Sequence, residues 1–257
     1  MKKWILRIGI AGVVLLILVV VAIGFFLDAA IKTGIETFGP KITQVEIKLE
    51  SVGLSLLSGG GKIKGLVVGN PTGYKTPSAI QVGSASLSLQ PSSLLGDKVR
   101  VRSINVQNPE ITFETDLRSN NLKKILNNIE TATGGSGTAA KPAPDKTQEA
   151  KAGRKLQVDE FIISGGKLHV SVTTLGGQSA TLTLPDIQLK DLGTGPDGIT
   201  GAELTKLALS AIEKSAAELA AKAVTDLGKG ATGLTKDANK AANSAVTKGI
   251  DNLFKKQ

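Results

Sequence analysis

The chain contains no cysteine. That excludes disulfides, thiolate metal sites and a lipid-modified N-terminal cysteine, and it leaves the redox character of the compartment unreadable from thiols. Aromatic residues are only 3% of the 257 residues, with one Trp and one Tyr. A single-stranded nucleic acid would therefore find almost no stacking surface. There is one histidine, His169. Without cysteines beside it, a transition-metal site is not expected, and neither a Ser-His-Asp set nor a Walker A loop is present. No cofactor and no enzymatic activity are expected from this residue inventory.

What the chain has is apolar residues at 41% and a formal charge of +9. Lys2, Lys3 and Arg7 supply part of that charge, and many other lysines lie in the linker and tail described below. The pattern suits an anionic lipid surface better than duplex DNA. Between Ile8 and Leu27 no residue is charged. A helix of about 20 residues at about 1.5 Å each matches the thickness of a hydrocarbon core. Ile8, Val14, Leu16, Val20, Phe25 and Leu27 are its anchor residues. Basic residues precede the run and Asp28 follows it, so the N-terminus is expected in the cytoplasm and the body outside it. A cleaved signal peptide is the alternative, but Phe25-Phe26-Leu27-Asp28 is a poor approach to a small-residue cleavage site.

From Val45 the apolar period becomes two. Val45, Ile47 and Leu49 alternate with charged residues, and the parity then shifts to Val52, Leu54 and Leu56. The same slip separates Ile80 and Val82 from Ala85, Leu87 and Leu89; Val99 and Val101 from Ile104 and Val106; and Leu156 and Val158 from Phe161 and Ile163. A slip in a flat strand would move the apolar set to the opposite face, whereas a bulge restores it and bends the strand. Both a strongly curved antiparallel sheet and a series of short strands joined by tight turns satisfy these slips. Further strands are expected over Gly61–Gly69, Glu110–Thr115, Gly166–Thr174 and Gln178–Leu184, giving about eight strands and a width of roughly 40 Å.

Leu122, Ile125, Leu126 and Ile129 have helical spacing after Ser119 and Asn120, either of which can cap. Thr131–Arg154, rich in Gly, Ala, Thr, Pro and Lys, reads as a flexible linker. Thr200-Gly201-Ala202-Glu203 has capping-box spacing and predicts a helix from there to about Leu227, with a second from about Thr235. The expected organisation is an anchor over 1–30, a sheet with a short helix over 31–130, a linker over 131–154, more sheet over 155–199 and an Ala-rich helical tail over 200–257. The class is α+β. Gly193 to Gly198 matches G-x-G-x-x-G, but Pro196 removes a donor and no second parallel strand follows, so it reads as a connection before the cap. His169 alternates with Lys167 and Ser171 on a polar strand face, and the adjacent Asp159 and Glu160 point to opposite faces.

The run Ile42–Leu57, the stretch Gly61-Lys-Ile-Lys-Gly-Leu-Val-Val-Gly-Asn-Pro-Thr-Gly-Tyr74, and Ser92-Ser93-Leu94-Leu95 leading into Val99–Phe113 resemble the N-terminal region of AsmA-family proteins. The resemblance covers roughly Met1 to Ile129 and is weaker over Leu156–Leu192. It implies a β-groove related to chorein-type bridge-like lipid transfer proteins, with roles in envelope or outer-membrane biogenesis and phospholipid movement. In that reading Val45, Ile47, Leu49, Leu87, Leu89, Val99, Val101, Ile111 and Phe113 contribute to a continuous apolar face, part of which meets membrane lipid. The location implied is a bacterial inner membrane, crossed once, with the body periplasmic and envelope proteins or a second copy as further partners. Many members of the family continue into further strands where this chain has an Ala-rich tail. The rival reading is an adaptor whose tail residues Leu204, Leu207 and Ile212 and an alanine stripe fill the face.

Overall fold

The structure is a computed structural model that describes residues 26–55, 58–116, 118–134, 154–173 and 178–223. It is α+β, with three helices among the described residues and ten strands in one sheet. Helix α1 occupies 26–43. Strands β1 (Ile47–Lys48), β2 (Ser51–Ser55), β3 (Gly60–Gly69) and β4 (Ser78–Leu89) follow. After a short 3-10 helix (Pro91–Leu95) come β5 (Lys98–Gln107), β6 (Glu110–Thr115) and α2 (Asn121–Ala132). The rest is β7 (Lys155–Ser164), β8 (Lys167–Val172), β9 (Gln178–Thr183), β10 (Ile187–Leu192) and α3 (201–223).

Consecutive short strands run in line. β1 and β2 both pair with β3, β5 and β6 both pair with β4, β7 and β8 follow β5 and β6, and β10 and β9 follow β7 and β8. The ten strands therefore trace six bent ribbons, which at about 4.8 Å spacing lie roughly 25 Å across, narrower than eight strands abreast. The sheet is mixed, not antiparallel as the pattern predicts. β5–β7 and β6–β8 are parallel, because α2 and the chain after it form a crossover that returns in the same direction. β10 is a strand that the sequence reading leaves out, although Ile187 and Leu189 alternate with Gln188 and Lys190.

The parity slips have a common cause. Glu50, Gly65, Gly83, Asn108, Gly165 and Pro185 fall at one level across the six ribbons, between ladder pairs that keep their register on both sides. At that level Gly65 (φ 62°), Asn108 (φ 48°) and Gly165 (φ 65°) are left-handed, a conformation that reverses the alternation and bends the strand. A second such level crosses Arg102, Asp159 and Asp191 (φ 55°), and there β5 carries one extra residue between Val101 and Ser103 opposite β4. β4, β5 and β7 run unbroken through their slips, so bends rather than tight turns restore the apolar face. The ribbons bend together, and the result is a curled open sheet.

α1 seals one border. Asp28 Oδ1 accepts from the Leu54 N–H (2.8 Å), Glu36 Oε1 accepts from the Leu49 N–H (2.9 Å), and Lys32 Nζ donates to the Glu50 carbonyl (3.0 Å). Side chains of the helix thus satisfy the outward backbone groups of β1–β2 that a neighbouring strand would otherwise use. Gly39 lies so close that a Cβ there would meet Ile47 Cδ1 at 2.6 Å. On the opposite border, no strand pairs with the outer side of β9 or β10 among the described residues.

Both helix caps act at the residues expected. Asn120 accepts from the Lys123 N–H at 2.7 Å. Thr200 Oγ1 accepts from the Glu203 N–H (3.1 Å), while Glu203 Oε2 accepts from the Thr200 N–H (2.6 Å) and hydroxyl (2.9 Å). Those bonds from Thr200 hold the Glu203 carboxyl below its ordinary range. Thr200→Ala is expected to lower stability by about 1 kcal/mol, read as a shift in the urea midpoint. An unchanged midpoint would mean that α3 docks without help from its cap.

Candidate apolar trough

The register aligns the inward side chains into rows that run from border to border. One row is Ile47, Val68, Ile80, Ile111, Leu168 and Leu182. Beyond the first bend, a second is Val52, Ile63, Ala85, Val106, Ile163 and Ile187. A third is Leu54, Gly61, Leu87, Ile104, Phe161 and Leu189. Gly61 leaves a notch in the third row, where a Cβ would strike Leu54 Cδ2 at 2.5 Å and Leu87 Cγ at 2.7 Å. The two leucines meet over that notch, which shows that the face is continuous across β2, β3 and β4.

The helices cover this face unevenly. Leu122, Ile125 and Ile129 of α2 and Leu209, Ile212, Ala216 and Ala220 of α3 are buried in one core with Ile111, Phe113, Val158, Leu168, Val170 and Val172. Lys206 Nζ pairs with Glu130 Oε1 at 3.0 Å and Asn120 Nδ2 donates to Glu213 Oε1 at 3.1 Å, which fixes the two helices antiparallel. Val52, Leu54, Ile63, Ala85 and Leu87 are half-buried and belong to no part of that core. Among the described residues the trough is closed over β5–β8 and over the ends of β3 and β4 that carry Val68, Ala79 and Ile80, and open over β2 and the facing parts of β3 and β4.

The sequence-derived face residues divide accordingly. Val45, Val101, Ile111 and Phe113 lie in the closed core; Leu49 and Val99 are buried outside it. Leu89 is partly buried against the core, Ile47 is half-buried beneath α1, and Leu87 stands on the open part. Of the proposed filling residues, Ile212 is buried and Leu204 packs partly on the core, whereas Leu207 is exposed. Leu54, paired with Gly61, and Ile63, paired with Val52, stand on the open part as well and are not among the face residues that the sequence predicts. Their alternation with Gly53, Lys62 and Lys64 was the available signal. Of the anchor set, Leu27 lies in α1, while Ile8, Val14, Leu16, Val20 and Phe25 lie outside the described residues. Among the described residues no helix is long and apolar enough to cross a membrane. The second tail helix also falls outside them. Most of the linker does too, but Thr131 and Ala132 at its start belong to α2, and Arg154 at its end is fixed, donating to the carbonyls of Leu94 (2.8 Å) and Gly96 (2.6 Å).

Among the described residues the polar side of the sheet shows no comparable convergence. His169 Nδ1 is 3.1 Å from Thr181 Oγ1, and its other nitrogen is 3.9 Å from Glu110 Oε2 at an exposed position. The Gly193–Gly198 segment is a turn against β7, where Leu156 and Ile199 exchange backbone hydrogen bonds, ahead of the Thr200 cap. Glu114 is the one deeply buried carboxylate among the described residues, and its oxygens are taken up by the Lys75 N–H, the Thr76 N–H and the Thr76 hydroxyl.

Comparison with known proteins returns a family and no individual relative. A search of curated proteins and a search of solved structures each found no match. The family model for AsmA proteins matches residues 1–247, spanning the apolar N-terminal run, all six ribbons and α3. The chain therefore belongs to the AsmA family.

Proposed function

We propose that this chain is a periplasmic AsmA protein anchored in the inner membrane by residues 8–27, which holds a phospholipid acyl chain on the open part of its trough during envelope biogenesis. Family membership and the curled sheet fit a lipid-transport-like or envelope-biogenesis role. The observation that carries the finer reading is the half-buried surface of Val52, Leu54, Ile63, Ala85 and Leu87, adjoining a closed core on the same face. Apolar burial is worth about 25 cal/mol per Å², so a contiguous open surface of this kind favours an occupant. The role needs no catalytic group, only shielding of a hydrocarbon chain from water. A trough roughly 25 Å across does not reach a second membrane alone, so movement of lipid between membranes would require a partner, a second copy or contact between membranes.

The adaptor reading is favoured by a specific observation as well, the burial of Leu209, Ile212, Ala216 and Ala220 on the same sheet face. Substitutions separate the two readings. Val101→Asp should unfold the body, since an unpaired carboxylate in a core costs several kcal/mol. Leu87→Asp should leave the fold intact by circular dichroism. A photo-cross-linking residue at Leu87 in native membranes should capture phospholipid, whereas one at the exposed Gln81 should not. Unfolding of Leu87→Asp together with no lipid captured at Leu87 would leave the adaptor.

A further inference from the structure

The chain upstream of α1 leaves the body at one identifiable rim. α1 runs along β1–β2 in the opposite direction, with Asp28 beside Leu54 and Glu36 beside Leu49. Its first turn therefore lies at the rim where β2 ends, β3 begins and β4 ends. Ser55 pairs with Gly60 and Gly60 with Ser88 there, and the Leu89 N–H donates to the Gly59 carbonyl. The apolar run that ends at Leu27 joins the body at that rim.

The same rim carries the loop between β4 and β5, and on it Leu95 is 95% exposed. Its exposure is not a matter of slack backbone. Ser93 Oγ donates to the Gln90 carbonyl (2.6 Å) and accepts from the Arg100 N–H (2.9 Å), the Gly96 N–H donates to the Ser93 carbonyl, and Arg154 clamps the carbonyls on either side of Leu95. A braced loop thus holds a large apolar side chain away from the protein. Phe26, 77% exposed on the first turn of α1, belongs to the same rim. Arg154 is exposed beside Leu95; the half-buried Lys98 at the start of β5 donates to the Gly195 carbonyl (2.8 Å), and the exposed Asp97 lies between Leu95 and Lys98 in sequence. Apolar tips beside an exposed arginine suit the boundary between headgroups and acyl chains of an anionic bilayer.

We infer that Leu95 is a membrane-contact point, seated in the surface of the same phospholipid bilayer that holds the anchor, so that the body stands on the bilayer by the anchor and the 90–96 loop. The inference rests on the anchored reading given above and adds to it a second point of attachment, which fixes the rotation of the trough about the anchor. Leu95 then sets the bilayer against the β2–β4 rim, where the open rows end.

Because the chain lacks cysteine, Leu95→Cys and Phe38→Cys each create a single labelling site. Phe38 is 61% exposed near the other end of α1, about 18 Å along the helix from Phe26, and serves as an apolar control away from the rim. The full chain, carrying an environment-sensitive fluorophore at one of these sites, is reconstituted in vesicles of phosphatidylethanolamine and phosphatidylglycerol. The Leu95 label should be quenched about twofold or more by nitroxide-bearing lipid and shielded from aqueous iodide, with the reverse at Phe38. Equal accessibility of both labels to iodide would overturn the inference, as would shielding of Leu95 in native membranes but not in pure lipid vesicles, which would assign it to a protein partner. Cross-linking at Leu87 in the same preparations separates this result from the function proposed above. Lipid captured at Leu87 with a water-exposed Leu95 overturns the contact point alone. A lipid-embedded Leu95 without lipid at Leu87 supports the contact point and removes the acyl-chain reading.

Discussion

Glu114→Ala is expected to cost about 3–4 kcal/mol, because it strands the donors of Lys75 and Thr76 at roughly 1–1.5 kcal/mol each. Glu114 is 1% exposed at the end of β6, and it holds the 70–77 connection through the Lys75 N–H (2.7 Å), the Thr76 N–H (2.9 Å) and the Thr76 hydroxyl (2.7 Å). Asn121 at the start of α2 completes the site, accepting from the Glu114 N–H (3.0 Å) and donating to the Thr112 carbonyl and to Asn70 Oδ1 (2.8 Å each). Removing the carboxylate therefore releases the 75–76 part of the connection from β6, while the Asn121 bonds to the β6 backbone and to Asn70 remain. Against the total of about 5–15 kcal/mol typical of a domain, the loss is a large fraction. Burial alone would raise the Glu114 carboxyl, but the hydrogen bonds from Thr76 and Lys75 outweigh it and hold the group below its ordinary range. A lowered carboxyl stabilises the fold above its unfolded-state value of about 4.3, and that contribution disappears as the pH falls through the folded-state value. Urea unfolding of the full chain in detergent, followed by circular dichroism between pH 7 and acid, measures both effects. Glu114→Gln should lose part of the stability at pH 7 and show a flatter decline below pH ~4.3. A Gln variant with the parent's acid limb would show that the charge is irrelevant there.

Gly165→Val is expected to cost about 2 kcal/mol, from a β-branched residue forced into left-handed backbone. Gly165 has φ 65°, and a Cβ there would lie 2.4 Å from Asn108 Oδ1, the end of a side chain that can swing aside, so the backbone conformation sets the cost. The Asn108 N–H donates to the Ser164 carbonyl, and the Lys167 N–H donates to the Pro109 carbonyl, both at 2.8 Å, so the Gly165 backbone cannot leave its left-handed conformation without breaking the ladder beside it. Asn108→Gly is the informative partner, since glycine accepts φ 48° without a Cβ penalty and should change stability by less than about 0.5 kcal/mol. The same denaturation measurement reads both. A valine variant as stable as the parent would show that the aligned bends are a consequence of the curl and not a constraint on it.

How far these features could be read in advance depends on whether they are local. Asn120 and the Thr200–Glu203 pair cap helices through residues within three positions of each other, and both were legible. The parity slips were legible for the same reason: Val158 and Phe161 betray a bend within one strand. That the bends share a level was not, because register is a relation between strands and appears in none of them singly. The parallel pairing of β5 with β7 had a signal, a helix and a long segment between strands, but that stretch reads equally as an insertion into an antiparallel sheet. The open part of the trough depended on which strands α2 and α3 leave uncovered. The small residues Ala216 and Ala220 show that α3 packs closely and do not name the strands beneath it.

The two borders of the sheet have unlike futures. Where Asp28 and Glu36 occupy the backbone N–H groups of β1–β2, no further strand can dock without displacing a helix. The backbone along β9–β10 carries no such cover among the described residues, so growth of the sheet is directional. A strand recruited there, from a second copy or another protein, would meet Pro185 midway and have to turn at the same level as the six ribbons before it. Recognition along that border would thus select for a break in the recruit's own alternation, placed in step with Gly165 and Asn108.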